Sequence, residues 1–306
     1  MKSRSEPRID DYSTAEYSPC HGRVCAVVVT YNPGPALLNN ISAVANQVDE
    51  VIIVDNDSSG DALRRLTALE GRGIHVLRNH CNRGIAVALN QGIRLALSLE
   101  FPWILTLDQD SKVTAGFVHE MLQTFRLAGN PESIALIAPS YIDQHSGIRV
   151  HCTRNRDGSI ITAMTSGSLT SAAAIRALGP FDESLFMDYV DTEFCLRARR
   201  HGMVILQSPA VLFHSLGKTT FHHFLGFRYG VTNHSWQRRY YITRNRLRLL
   251  LRYYTDWPWV WREIRAFFLH GAKIALVEQD KWKKFRAMAG GTADAFLGKV
   301  GKQVEL

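Results

Sequence analysis

Two carboxylates one residue apart, Asp108 and Asp110, stand directly after the run Trp103-Ile104-Leu105-Thr106-Leu107. So short an apolar run, bounded by polar residues, reads as a buried strand. Alternation along a strand sends residues i and i+2 to the same side. In an open parallel sheet, ligands gather beyond the carboxyl ends of the strands. The pair therefore stands at the lip of a sheet, where two hard oxygen ligands suit Mg²⁺ or Mn²⁺ bridging to substrate phosphates. The alternative is a polar strand end in which one Asp caps the next helix.

Similar chemistry recurs along the chain. Val24–Thr30 is a continuous apolar, β-branched run that stops at Tyr31-Asn32-Pro33-Gly34-Pro35. Val51–Val54 runs into Asp55-Asn56-Asp57-Ser58. Three strands thus end in polar clusters, and polar groups gathered along one sheet edge are what a nucleotide crevice requires. Neither GxGxxG nor a P-loop lysine is present, so the dinucleotide and NTPase fingerprints are absent.

The intervening segments supply the frame. Helical patterns cover Ala36–Gln47, Asp61–Leu69, Ile85–Leu99 and Thr114–Ala128, alternating with further strands at Ile74–Leu77 and Ile134–Ala138. This alternation predicts an α/β fold with a doubly wound, mostly parallel sheet. Gly167, followed by Ser168, permits a close backbone approach. The stretch from Phe181 through Asp182 to Glu193 is a loop entering a helix, with Asp191 or Thr192 at its cap. Met203–Leu206 and Ala210–Phe213 read as two short strands separated by Pro209, with His214 following the second.

The formal charge is +8, and its location matters more than its size. From Arg228 onward there are 16 Lys and Arg against 6 Asp and Glu, while the rest of the chain holds 20 against 22. Arg244, Arg248 and Arg252 recur every four residues opposite Leu247, Leu250, Leu251 and Tyr254, which predicts a basic amphipathic helix broken by Pro258. A second helical stretch covers Trp259–Val277, and Lys281–Arg286 interleaves bases with aromatics. Such segments suit a membrane interface, or else plain helix packing with solvated charges. The five cysteines are scattered and form no CxxC pair, which argues against a disulfide framework or zinc site and for a reducing cytosol. The opening residues have no apolar stretch of the kind a signal peptide carries, and no run approaches a membrane span.

With these pieces in view, the chain resembles the inverting family 2 glycosyltransferases of the GT-A fold, and among them the bacterial L-rhamnosyltransferases. The resemblance rests on Thr30-Tyr31-Asn32, Val54-Asp55-Asn56-Asp57-Ser58, Asn82-Arg83-Gly84-Ile85-Ala86 with Asn90-Gln91-Gly92-Ile93, Leu107 to Ser111, and Phe181-Asp182-Glu183 followed by Val190-Asp191-Thr192-Glu193. Tyr240 to Asn245 looks like the rhamnosyltransferase branch.

The resemblance implies a Rossmann-like sheet flanked by helices in residues 23–235, with a donor half (23–112) and an acceptor half (113–235). A flexible arm (1–22) and a basic helical extension (236–306) flank it. It implies that Tyr31, Asp55 and Asn56 or Asp57 hold the base and ribose of a nucleotide-sugar. Thr30, Asn32, Asn82, Arg83, Asp108 and Gln109 lie near the same donor, and Arg83 suits a diphosphate. Asp108 and Asp110 become the metal pair, with His214 where some members add a ligand. His214 also reads as a structural strand-end histidine, Arg83 as a surface residue.

Asp191 falls at the acceptor's general base. Val190 departs from the Glu that many members carry before that Asp. Gly167, Ser168 and Asp182 would meet the acceptor. The expected activity is inverting, Mg²⁺- or Mn²⁺-dependent transfer of L-rhamnose from dTDP-L-rhamnose to a lipid-linked cell-surface glycan. The expected place is the cytoplasm, peripheral on the anionic inner face of the cell membrane, with a homo-oligomer compatible. One rival is a UDP-hexose donor. Another is a nucleic-acid-binding protein using the basic tail, although no such recognition motif is present and no nucleic-acid partner is expected.

Overall fold

The computed structural model describes residues 22–71, 73–150, 152–215, 220–224 and 227–305, and the side chains of residues 216–231 are outside the description. The expected N-terminal arm lies outside the described residues apart from Gly22. Strands β1 (Val24–Thr30), β2 (Glu50–Asp55) and β3 (Ile74–Arg78) run parallel, and β4 (Trp103–Asp108) pairs parallel with the other side of β1. The sheet continues through β10 (Ser168–Ser171), β6 (Ile134–Asp143), β11 (Val204–His214) and β5 (Lys112–Val113), in the order β3-β2-β1-β4-β10-β6-β11-β5. β10 and β5 run antiparallel to their neighbours, so the sheet is mixed but mostly parallel.

Every residue of β1 is buried, as expected of a strand covered on both faces. Helix α1 (Ala36–Ala45) follows β1, and α3 (Ile85–Ser98) lies close on the sheet. A Cβ at Gly92 of α3 would come within 2.4 Å of Val27, so only glycine allows that approach. The chain winds outward from β1 through β2 to β3, then returns to place β4 on the opposite side of β1. The gap between β1 and β4 is therefore a topological switch point, where such sheets bind ligands.

Two expectations are corrected here. The stretch around Pro209 is one strand, β11, rather than two. Its register against β6 slips between Gln207 and Val211, and a bulge tolerates a proline that cannot donate to the ladder.

The tail forms α7 (Trp236–Arg252), α8 (Trp257–Leu276) and α9 (Lys281–Phe296), and Pro258 opens α8 in its first turn, where its missing N–H costs nothing. The faces of α7 are not those of a solvated basic helix. Arg244 is 0% exposed and Arg239 and Arg246 are buried, while Leu251 and Tyr254 are 58% and 65% exposed. Of the expected basic face only Arg244 is buried, with Arg248 half-buried and Arg252 exposed, and Arg239, Arg244 and Arg246 turn inward because each finds partners there. Arg239 pairs with buried Glu278 at 2.5 Å, and Arg246 pairs with Glu263 at 2.9 Å. Arg244 donates to the Gly301 and Leu185 carbonyls. Buried cations require such partners.

Candidate active site

The carboxyl ends of β1, β2 and β4 open into a crevice of about 420 Å³. Backbone register sets its floor. Thr30 lies opposite Asp55 and Val29 opposite Asp108, so the three polar strand ends reach one level. Asp108, Gln109 and Asp110 line one wall. His214 joins them because β5, which begins two residues after Asp110, pairs with the end of β11. One His214 nitrogen, Nδ1, lies 3.3 Å from Asp110 Oδ1 and 2.8 Å from Ser111 Oγ, while Nε2 lies 3.9 Å from Asp108 Oδ2. Ligand atoms of Asp108, Asp110 and His214 all fall within 4.8 Å of one another. Burial raises the Asp108 and Asp110 carboxyls above the usual range, and His214 opposes that rise in both. Two carboxylates and an imidazole suit a divalent cation, whose charge would offset the strain of holding them together.

The wall at the ends of β1 and β2 is built by interlocking amides and hydroxyls. Buried Asp55 accepts from Thr30 Oγ1 at 3.1 Å and from Ser58 Oγ at 2.5 Å, which fastens the β2 loop to β1. Asn32, in a left-handed conformation, accepts from Ser59 N, and its own N–H donates to Ser58 Oγ. Asn56 accepts from Arg83 N at 3.0 Å and donates to Asn82 Oδ1 at 2.9 Å. The Tyr31 N–H donates to Gln109 Oε1, joining the first polar cluster to the third.

The opposite wall is the segment Phe186–Asp191 leading into α6 (Val190–Arg200). Phe186, Asp188 and Tyr189 all have positive φ, an arrangement that costs about 1–3 kcal/mol per residue and persists only when neighbours over-determine it. It carries Asp191 to the crevice, in the first turn of α6 rather than at its cap. Asp191 accepts from Thr192 N at 2.7 Å. Its surroundings push the carboxyl up to about 6, with burial the main cause and the charges of Asp188 and Asp108 adding to it. The crevice receives one cation among the residues that line it, Arg238 from the first turn of α7. Arg238 is held by Asp188 through contacts of 2.9 and 3.1 Å.

Of the expected site residues, Thr30, Tyr31, Asn56, Asn82, Asp108, Gln109, Asp110 and Asp191 line this crevice. Asp55 and Asn32 shape it from behind. The Asp57 and Arg83 side chains are exposed, and Arg83 contributes its backbone N–H. Gly167, Ser168 and Asp182 are not among the lining residues. A Cβ at Gly167 would meet Leu212 and Pro139 at 2.7 Å, so its close approach is to the sheet core. Ser168 Oγ donates to Met164 O, and Asp182 pairs with Arg252 at 2.7 Å.

Sequence reasoning missed Arg238 and also Ser166. The Ser166 hydroxyl accepts from Asp108 N at 3.0 Å and meets Ser111 Oγ at 2.6 Å, tying the two ends of the Asp108–Ser111 turn together. Ser166 directly precedes Gly167, whose close backbone approach the sequence does suggest. Nothing local marked Arg238, because its partner Asp188 is fifty residues away.

Residues 25–176 match the model of glycosyl transferase family 2. The chain is 28% identical over 302 residues to the dTDP-rhamnosyl transferase RfbF of Shigella flexneri, covering 92% of this chain and 98% of that one. It is 27% identical over 206 residues to the low-salt glycan biosynthesis hexosyltransferase Agl10 of Haloferax volcanii, covering 60% and 64%. The solved mannosyltransferase PcManGT from Pyrobaculum calidifontis, in complex with GDP-Man and Mn²⁺, superposes with a TM-score of 0.52 at 16% identity, covering 95% of this chain and 80% of that one. The fold is therefore GT-A, with the crevice at its switch point. This chain is a family 2 glycosyltransferase, similar along most of its length to a rhamnosyl transferase.

Proposed function

We propose that this chain is an inverting transferase, dependent on a divalent cation, that moves L-rhamnose from dTDP-L-rhamnose to a hydroxyl of a lipid-linked cell-surface glycan. The observation that carries the reading is that Asp191 and Arg238 share one crevice with Asp108 and Asp110, whose ligand atoms lie within 4.8 Å of those of His214. The likeness to a dTDP-rhamnosyl transferase along 92% of the chain supports the donor.

Inversion is a single in-line displacement at the anomeric carbon, so it requires one base on the acceptor side. Asp191, pushed up to about 6, is ionised at neutral pH and still basic enough to take the hydroxyl proton. Asn56, Asn82 and Tyr31 receive the nucleoside end of the donor. Arg238 faces the diphosphate, where a guanidinium makes paired, charge-assisted hydrogen bonds. Asp108, Asp110 and His214 would hold Mn²⁺ or Mg²⁺; when bound, that ion offsets charge on the departing diphosphate. In this reading residues 23–112 serve the donor and 113–235 the acceptor.

The acceptor's lipid places the enzyme at the cytoplasmic leaflet. No helix among the described residues is long and apolar enough to cross a membrane. Helix α8, however, exposes Trp257, Trp261 and Phe268 at helical spacing, beside exposed Arg262 and Arg265. Apolar anchors flanked by cations favour an anionic interface. Sedimentation with vesicles containing phosphatidylglycerol checks this, and Trp257→Ser with Trp261→Ser should abolish it.

A transfer assay with dTDP-L-rhamnose, UDP-hexoses and Mn²⁺, followed by NMR of the product anomer, tests the activity. Transfer from dTDP-L-rhamnose with inverted configuration supports the reading. Transfer from UDP-hexoses alone moves the donor assignment, and a retained configuration overturns the one-step mechanism.

A further inference from the structure

The strained turn that carries Asp191 has one short hydrogen bond of its own, from Met187 N to Leu185 O at 2.7 Å, and otherwise relies on its neighbours. Leu185, Met187 and Asp188 direct their carbonyls away from regular secondary structure, and all three meet one side chain, the carboxamide of Asn245 on α7. Its Nδ2 lies 2.7 Å from Leu185 O, 2.7 Å from Met187 O and 3.0 Å from Asp188 O. Arg244 Nε donates to the same amide's oxygen at 3.1 Å, which fixes its orientation. Asn245 is fully buried, so no water substitutes for it. The next residue of the turn, Tyr189, is gripped separately. Its hydroxyl donates to Glu263 of α8 at 2.5 Å and accepts from Arg246 at 2.7 Å.

Three residues of α7, Arg238, Asn245 and Arg246, thus hold Asp188 and its neighbours on either side. The backbone they hold is left-handed at Asp188 and Tyr189, immediately before the helix that presents Asp191. We propose that Asn245 is a positioning residue for the transfer step: it clamps residues 185–188 so that Asp191 meets the acceptor hydroxyl, with Tyr189 as the second point of the clamp. The proposal rests on the reading of Asp191 as the base. It gives the tail a role beyond any surface it presents. α7 completes the active site from more than fifty residues downstream.

The test compares Asn245→Ala and the milder Tyr189→Phe with the unaltered chain and with Asp191→Asn. It measures kcat against pH with the best donor from the transfer assay, the Kd for dTDP with Mn²⁺, and hydrogen exchange over residues 185–192. A misplacement of about 1 Å costs roughly 10²-fold, so Asn245→Ala should lower kcat by about that factor. Loss of one of two clamps in Tyr189→Phe should lower it by about tenfold. The dTDP Kd should stay within about twofold, because the donor wall is untouched. Exchange should rise at 185–192 alone, and the acid limb of kcat should move down from about 6 as water reaches Asp191.

If Asn245→Ala does not fold, Tyr189→Phe decides. Unchanged exchange, or a kcat within about threefold of the unaltered chain, overturns the clamp. A loss of dTDP affinity equal to the loss of kcat overturns it too, since that marks a general collapse. If Asp191→Asn retains turnover, it is the base assignment that fails. The exchange result still judges the clamp in that case, independently of turnover.

Discussion

The two walls of the crevice are built by different means. On the wall we propose receives the donor, Thr30, Asn56 and Asp108 stand where strands end, and neighbouring strands set their heights through backbone register. On the opposite wall, Asp191 is delivered by a turn with three left-handed residues that is gripped by side chains of α7 and α8. The first wall takes its shape mainly from the sheet; the second is held largely by the tail, with Ile85 N on Phe186 O as a further support. The heights of the strand ends follow from register, with side-chain bonds such as Asn56 to Asn82 trimming the loops beyond them, whereas the opposite wall depends on side-chain bonds throughout. The donor wall should therefore tolerate changes that ruin catalysis, and binding and turnover should separate under mutation.

The largest expected separation is at Asp191. Removing a general base costs about 10²–10⁴-fold in rate, so Asp191→Asn should abolish measurable transfer while leaving dTDP affinity near that of the unaltered chain. It should also raise stability at neutral pH. The folded carboxyl titrates near 6, above its ordinary 3.8, so the folded state binds the proton more tightly. Stability is then lost as pH rises from about 4 to about 6, and the full cost stands above that window. The shift bounds this cost at about 3 kcal/mol, and the partial opening of Asp191 to the crevice reduces it. Thermal unfolding at pH 4.5 and 7.5 checks the sign. The variant's advantage should grow with pH, and an advantage confined to the acid side would refute the assignment.

Removal of the cation comes next. Chelation should suppress transfer, and Mn²⁺ should restore it. Binding to the folded state alone raises the unfolding temperature in proportion to RT ln(1 + [L]/Kd). Saturating Mn²⁺ should therefore stabilise the unaltered chain but not Asp110→Asn. An equal thermal shift in both would remove Asp110 from the site. Arg238 links the two walls, since it pairs with Asp188 while lining the crevice in which we propose the donor binds. Charge-assisted bonds contribute about 1.5–3 kcal/mol, so Arg238→Ala should raise the donor KM by roughly 10–100-fold. If only kcat falls, Arg238 belongs to the turn rather than to the donor.

The contrast also explains what the sequence could disclose. Strand ends are legible because an apolar run and the polar residues after it are adjacent in the chain, and Asp55, Asp108 and Asp110 were found this way. The parallel sheet followed from the same runs. The burial of Arg244 was not legible, since four-residue spacing of arginines describes a basic face equally well whether it meets water or carbonyls. The outcome depended on Gly301 and Leu185, each distant in sequence. Gly167 was misjudged for a related reason. Glycine announces a close approach, but not whether the partner is a substrate or, as here, Leu212 and Pro139.

The smallest effect, and the sharpest on the comparison, is expected where the walls touch. Gly84 lies on the donor side with φ +87°, and its neighbour Ile85 donates to Phe186 O at 2.8 Å. A Cβ at Gly84 would sit 2.4 Å from that same carbonyl, on a backbone conformation that side chains rarely adopt. Gly84→Ala must therefore push Phe186 away and strain its own residue, at a cost of about 1–3 kcal/mol. Because Asn82 and Asn56 are tied to the strands, the displacement should pass into the turn through Phe186, whose carbonyl the new Cβ would meet. Turnover should fall by about tenfold with little change in dTDP affinity. Unfolding temperature, dTDP titration and kcat on one preparation check this. A loss of dTDP affinity with kcat intact would mean that the donor wall yields first, and that the strand register is the weaker of the two supports.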